Sequence, residues 1–190
     1  MSRNHRKPIS RVFPTYHPRA GEPTYFVEKI WKSIGWVDYG VLLDNNLKFI
    51  DSENRVSDII QDFARGIESK NTIFAPKHHT IREKGANPVK VGDTLTLFSW
   101  SGRPYHTPQI VIAPQIEVKQ VWDFDIDLLN PHKIYLNGHL IYDGDTVYSD
   151  IMDYIADHDG LDLFELLAWF KYPKKSFLGQ IICWSDDIQY

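Results

Sequence analysis

The sequence predicts an α+β fold in which short, mostly antiparallel strands are flanked by helices. Three observations carry that expectation. Val91-Gly92-Asp93-Thr94-Leu95-Thr96-Leu97-Phe98-Ser99-Trp100 is a Gly-Asp turn running into a segment of alternating character, the signature of a half-buried strand. Lys133 to Tyr142 places Asn137-Gly138 between two apolar runs, the strongest short-range hairpin signal. Residues 148–157 and 162–170 carry apolar side chains at helical spacing, one directly after the other.

Composition narrows the class. A chain of 190 residues is expected to form one domain and can bury a core without disulfides. The net charge of −4 argues against wrapping duplex DNA by bulk charge but is compatible with a local basic patch. Such a patch is foreshadowed by Arg3, Arg6, Lys7, Arg11 and Arg19, all ahead of the first acid, Glu22. Cys183 is the only cysteine, so no internal disulfide can form and nothing suggests an oxidising compartment. No apolar run reaches membrane-spanning length, and the basic N-terminus lacks the apolar segment of a signal peptide. The cytoplasm is therefore the expected location, with no membrane partner.

In chain order, residues 1–12 are expected to be a flexible basic arm, and 13–190 a single domain with a helical insertion around 53–68. Phe13 to Pro23 holds three prolines and a glycine and reads as a loop. Its Tyr16, His17 and Arg19 either face a pocket or pack the loop. Thr24 reads as the N-cap of a helix carrying Phe26, Val27, Ile30, Trp31 and Ile34, closed by Gly35. Asp44-Asn45-Asn46 suggests a turn, and Val56, Ile59, Ile60, Phe63 and Ile67 form the stripe of the insertion helix. After Trp100, Gly102-Arg103-Pro104-Tyr105 makes a tight turn. Pro114 marks an edge or a bulge in the strand that follows. Asp159-Gly160 closes the first of the paired helices. Asp162 and Glu165 form a capping box for the second, whose buried face is Leu163, Leu166, Leu167 and Phe170 before Pro173 stops it. Leu178 to Trp184 is a nearly continuous apolar run, expected in the middle of a sheet.

The chemistry concentrates in Lys77-His78-His79-Thr80-Ile81-Arg82. Strand alternation puts Thr80 and Arg82 on one face and His79 and Ile81 on the other. Lys77 joins Thr80 only if it comes from the preceding turn, which Pro76 favours. A threonine hydroxyl needs a base beside it to act as a nucleophile. Lys77 can be that base if burial or neighbouring cations lower its pKa. The bland alternative makes Lys77 a solvated loop residue, Thr80 a strand former and Asp159 a turn residue. Adjacent histidines point opposite ways on a strand and lack a third ligand, so no metal site is expected. No phosphate loop is present, and no cofactor is expected.

Lys77-x-x-Thr80-x-Arg82, then Gly92-Asp93 opening a strand, a helix pair near Asp159 and a closing Ile181-Ile182-Cys183-Trp184 strand resemble the ASCH domain family of the PUA-like superfamily. The resemblance spans roughly residues 70–186. Phe13-Pro14 through Thr24, with Trp100 to Tyr105, resembles a subgroup found in bacteria and phages. The resemblance implies a small PUA-like β-barrel, mixed and mostly antiparallel, with a cleft for RNA, single-stranded nucleic acid or a modified nucleoside. One bacterial branch hydrolyses the amide of acetylcytidine with a Lys, a Thr three residues on and a carboxylate at a helix end. Lys77 and Thr80 match it. Asp159 stands where that branch has Glu, and Ala75 where the family usually has Gly. Arg82, Trp100, Arg103, Tyr105 and Arg19 are then the expected ligand contacts, with Trp100 and Tyr105 as stacking surfaces. A binding module, an amidohydrolase and a small-ligand or protein-interaction module are the competing readings. Oligomeric state is left open by the sequence.

Overall fold

The structure, a computed structural model, describes residues 2–35, 75–100, 102–127, 133–144, 150–170 and 176–190. The expected turn at Asp44-Asn45-Asn46 and the insertion helix around 53–68 lie outside these residues. Eight strands and three helices are described. They are β1 (Asn4–Pro8), α1 (Phe26–Ser33), β2 (His79–Glu83), β3 (Thr94–Trp100), β4 (Gln109–Glu117), β5 (Gln120–Asp127), β6 (Lys133–Leu136), β7 (His139–Tyr142), α2 (Asp150–His158), α3 (Leu163–Phe170) and β8 (Ser176–Cys183).

The strands form two sheets, one ordered β1-β3-β4 and the other β2-β8-β5-β6-β7. All pairings are antiparallel except β1 with β3. The fold is thus α+β with mostly antiparallel sheets, as the patterning predicts. The pairing among the described residues is two sheets rather than one closed ring. One buried apolar cluster lies between the elements, drawing Ile30 and Trp31 from α1, Leu95 and Leu97 from β3, Ile155 from α2 and Ile181 from β8. No helix among the described residues is long and apolar enough to cross a membrane.

Several local expectations hold. Asn137 (φ 49°) and Gly138 (φ 80°) make the two-residue β6–β7 turn, with both residues left-handed as a type I′ turn requires. Asp162 and Glu165 cap α3 reciprocally, through Glu165 N–H to Asp162 Oδ1 at 2.7 Å and Asp162 N–H to Glu165 Oε2 at 3.0 Å. β8 is paired on both sides, by β2 and β5, which explains its continuous apolar run. β4 is an edge strand whose register shifts opposite Leu95–Phe98.

Two expectations need correction. Residues 4–8 of the supposed flexible arm are β1, in register with Thr94–Phe98 of β3. Its sequence has no apolar face to announce a strand. What holds it is Asp93, which accepts Arg3 N–H at 2.8 Å and bonds His5 Nε2 at 2.9 Å. Thr24 is one residue too early as the α1 cap, because Tyr25 turns left-handed (φ 55°) and takes the N-cap position. Thr24 still receives Phe26 N–H at 3.3 Å and donates to Ser10 O at 2.7 Å, tying the loop to the helix start.

Candidate functional site

Lys77 is placed by backbone bonds from two helices. Its N–H donates to Lys29 O in the middle of α1 (3.0 Å), and His78 N–H donates to His158 O at the end of α2 (2.8 Å). These bonds pull the chain entering β2 inward, so Lys77 leaves the strand alternation and shares Thr80's side. The same junction needs Gly160, whose φ is +74° and whose missing Cβ would sit 3.0 Å from Lys29 Cδ and 3.5 Å from Lys77 Cβ.

Lys77 is 1 % exposed. Its amine donates to Asp159 Oδ1 (2.6 Å) and Asp159 O (2.7 Å) and lies 4.3 Å from the centre of the Phe26 ring. Burial lowers the Lys77 amine to about 8, against the opposing pull of Asp159. Burial raises the Asp159 carboxyl, opposed by Lys77. Desolvation thus drives both partners toward their neutral forms, while their contact restores the charged ones. His79 is fully buried behind the pair. Its Nε2 lies 3.0 Å from Ile155 O, so that nitrogen carries the proton, and its Nδ1 faces Asp159 Oδ1 at 3.6 Å. Burial, then the nearby Lys77 charge, keeps His79 neutral.

Lys77, Thr80, Arg82 and Asp159 line one narrow cleft of about 40 Å³, closed on its apolar side by Phe26 and Trp169. The cleft thus brings Lys77, Thr80 and Asp159 to one place, with Arg82 beside them. No hydrogen bond joins Thr80 to Lys77 or Asp159. Arg82 donates from Nη2 to Pro8 O at 2.5 Å, and its Nε is buried with no hydrogen-bond partner among the described residues.

A wider groove of about 210 Å³ adjoins the cleft and shares Ile81, Arg82, Trp169 and Phe170 with it. Tyr16 and Phe177 complete its aromatic lining. Trp169 is braced from behind by Phe13 (ring centres 5.7 Å apart) and Phe26 (5.5 Å). Tyr16 reaches it by donating its hydroxyl to Trp169 O at 3.2 Å. The Phe177 ring occupies the space beside Gly179, where an added Cβ would fall 2.1 Å from it.

The remaining expected contacts lie elsewhere. Trp100 and Tyr105 line neither cavity; their rings meet each other at 5.2 Å beyond the end of β3, and Trp100 leans on Phe98 at 5.6 Å. Arg103 is exposed on the same turn. Arg19 bonds Glu22 and Glu165 and lies over the Phe13 ring at 4.7 Å, so it packs the loop instead of facing the groove. His17 does the same through Glu165 O. The aromatic surface beside the cleft that the sequence analysis did not name is Trp169 with Phe170. Its signal was present in α3, LFELLAWF, which is apolar on more than one face.

Among the described residues, no group of three or more His, Cys, Asp or Glu is arranged to hold a metal ion. No protein-family model, curated protein or solved structure matches the chain.

Proposed function

We propose that the chain is an ASCH-type, PUA-like protein that binds a modified nucleoside and hydrolyses an amide on its base. The observation that carries this reading is a fully buried lysine, paired with one carboxylate, in the same narrow cleft as a threonine hydroxyl. An amine titrating at about 8 leaves roughly a tenth of the molecules with neutral Lys77 at pH 7. That is the form a general base needs.

The cleft is too small for a base but suits an acyl group, and the aromatic groove beside it suits a planar ring. In the proposed reaction Thr80 Oγ attacks the amide carbonyl carbon while Lys77 takes the hydroxyl proton. The C–N bond then breaks as Lys77 returns the proton to the leaving exocyclic nitrogen. Water hydrolyses the threonyl ester and releases the acid. Asp159 holds the lysine in place throughout.

A binding module without chemistry is the second reading, favoured by the missing hydrogen bond between Thr80 and Lys77. Acetylcytidine separates the two. Release of acetate that Thr80→Ala abolishes, without loss of folding, supports the enzyme. Binding without release supports the module. Under either reading Trp169→Ala should weaken nucleoside binding by about 1–3 kcal/mol, the usual worth of one base stacked on an aromatic ring. An unchanged affinity would remove the groove from the account.

A further inference from the structure

The cleft gathers more positive charge than its acid balances. Lys77, Arg82 and Lys29 all act on the Asp159 carboxylate, and of these only Lys77 is ion-paired with it. Lys29 donates to Gly160 O at 2.5 Å and feels Glu165, which is itself bonded to Arg19. Arg82 has no carboxylate at ion-pair distance among the described residues. Acids are not scarce in this chain, which has 25 Asp and Glu against 21 Lys and Arg.

Strand β1 adds another cation. Alternation along it turns Arg6 outward, where Nη2 donates to Gln109 Oε1 at 2.7 Å and the guanidinium lies 5.2 Å from the Phe98 ring centre. Lys7 points the other way and is half-buried. It immediately precedes Pro8, whose carbonyl holds the Arg82 guanidinium. Lys7 makes no hydrogen bond or ion pair among the described residues. Burial first, and the Arg82 charge second, hold its amine below the ordinary lysine range. Ser10, two residues beyond Pro8, lines the cleft, so the end of β1 leads from Lys7 to the Lys77–Asp159 pair.

We propose that Lys7 and Arg82 form a phosphate subsite beside the cleft, where the end of β1 meets Arg82, taking either the phosphate monoester of a nucleotide or a phosphodiester of a single strand. Two partly desolvated cations without a counter-ion among the described residues repel one another, and a bound anion removes that cost. Arginine offers a planar fork to two phosphate oxygens, and lysine adds a point charge. The Arg82 Nε is buried and has no hydrogen-bond partner among the described residues, so the charge of this guanidinium is not fully satisfied within them. The subsite rests on charge and placement alone; only the identity of what continues from the phosphate rests on the nucleoside reading.

The test titrates the full chain with inorganic phosphate, cytidine, cytidine 5′-monophosphate and a short oligocytidylate lacking a terminal phosphate. Wild type, Lys7→Gln and Lys7→Arg are compared. The phosphorylated ligands should bind at least about tenfold more tightly than cytidine. Lys7→Gln should erase that advantage without changing cytidine affinity, and Lys7→Arg should keep it. An advantage confined to the monophosphate assigns the subsite to mononucleotides; one shared with the oligomer assigns it to a strand. If cytidine fails to bind but inorganic phosphate shifts the Lys7 and Arg82 side-chain resonances, the subsite stands and the nucleoside reading falls. No advantage for phosphate in any arm, or an advantage that survives Lys7→Gln, overturns the proposal.

Discussion

The Lys77–Asp159 cleft and the Trp100–Tyr105 turn carry the residue types that recognise bases, yet the chain holds them in opposite ways. Lys77 is fixed by an ion pair, by a second bond to Asp159 O and by the Phe26 ring. Trp169 beside it is wedged against Phe13 and Phe26. Tyr105 is 87 % exposed, and its backbone is left-handed (φ 65°), a conformation that suits glycine better. Its ring is steadied by Trp100 alone among the aromatic contacts of the described residues. A side chain held from several elements has already given up its rotamer freedom, so a ligand meeting it need not bear that cost. The turn offers aromatic surface without that preparation.

Breaking the pair tests the contrast most severely. Lys77→Met leaves the Asp159 carboxylate buried and unpaired, and should cost about 3–5 kcal/mol of stability at neutral pH. The pH dependence has a definite sign. With its pKa raised by burial, folded Asp159 holds its proton at pH values where the unfolded chain has lost it. The deficit is therefore complete above the raised pKa and shrinks as pH falls through it. Urea unfolding at neutral and mildly acid pH checks both the size and the direction. At the other end of the scale, Tyr105→Gly should change stability by less than about 1 kcal/mol, because relief of the left-handed strain offsets the lost ring contact. It should also leave nucleoside affinity unchanged. A large loss of affinity would return the binding surface to the turn.

Much of the scaffold was legible because local chemistry and tertiary structure agree. Asn137-Gly138, the Asp162–Glu165 box and the apolar run of β8 each state their geometry within a few residues. The convergence of Lys77, Thr80 and Asp159 was legible only through the family resemblance. Nothing local marks a lysine for burial, and its position depends on bonds to Lys29 O and from His78 to His158 O, from distant helices. Strand β1 escaped notice because Asn-His-Arg-Lys-Pro has no β-branched residue and no Phe, Tyr or Trp; its order comes from β3 and Asp93. Trp100 and Tyr105 stand out in the sequence because a turn suggests exposure. A tryptophan on an apolar helix suggests core, and Trp169 is only partly buried there.

The central claim is that burial beside one carboxylate prepares Lys77 as a base. It is tested most directly by following the Lys77 side-chain carbon next to the amine by NMR, in protein labelled at that lysine position, across the alkaline range. The account predicts a midpoint of about 8, and a lower one in Asp159→Asn, where the opposing charge is gone. A midpoint near the 10.5 of an ordinary lysine, unmoved by that substitution, would contradict it.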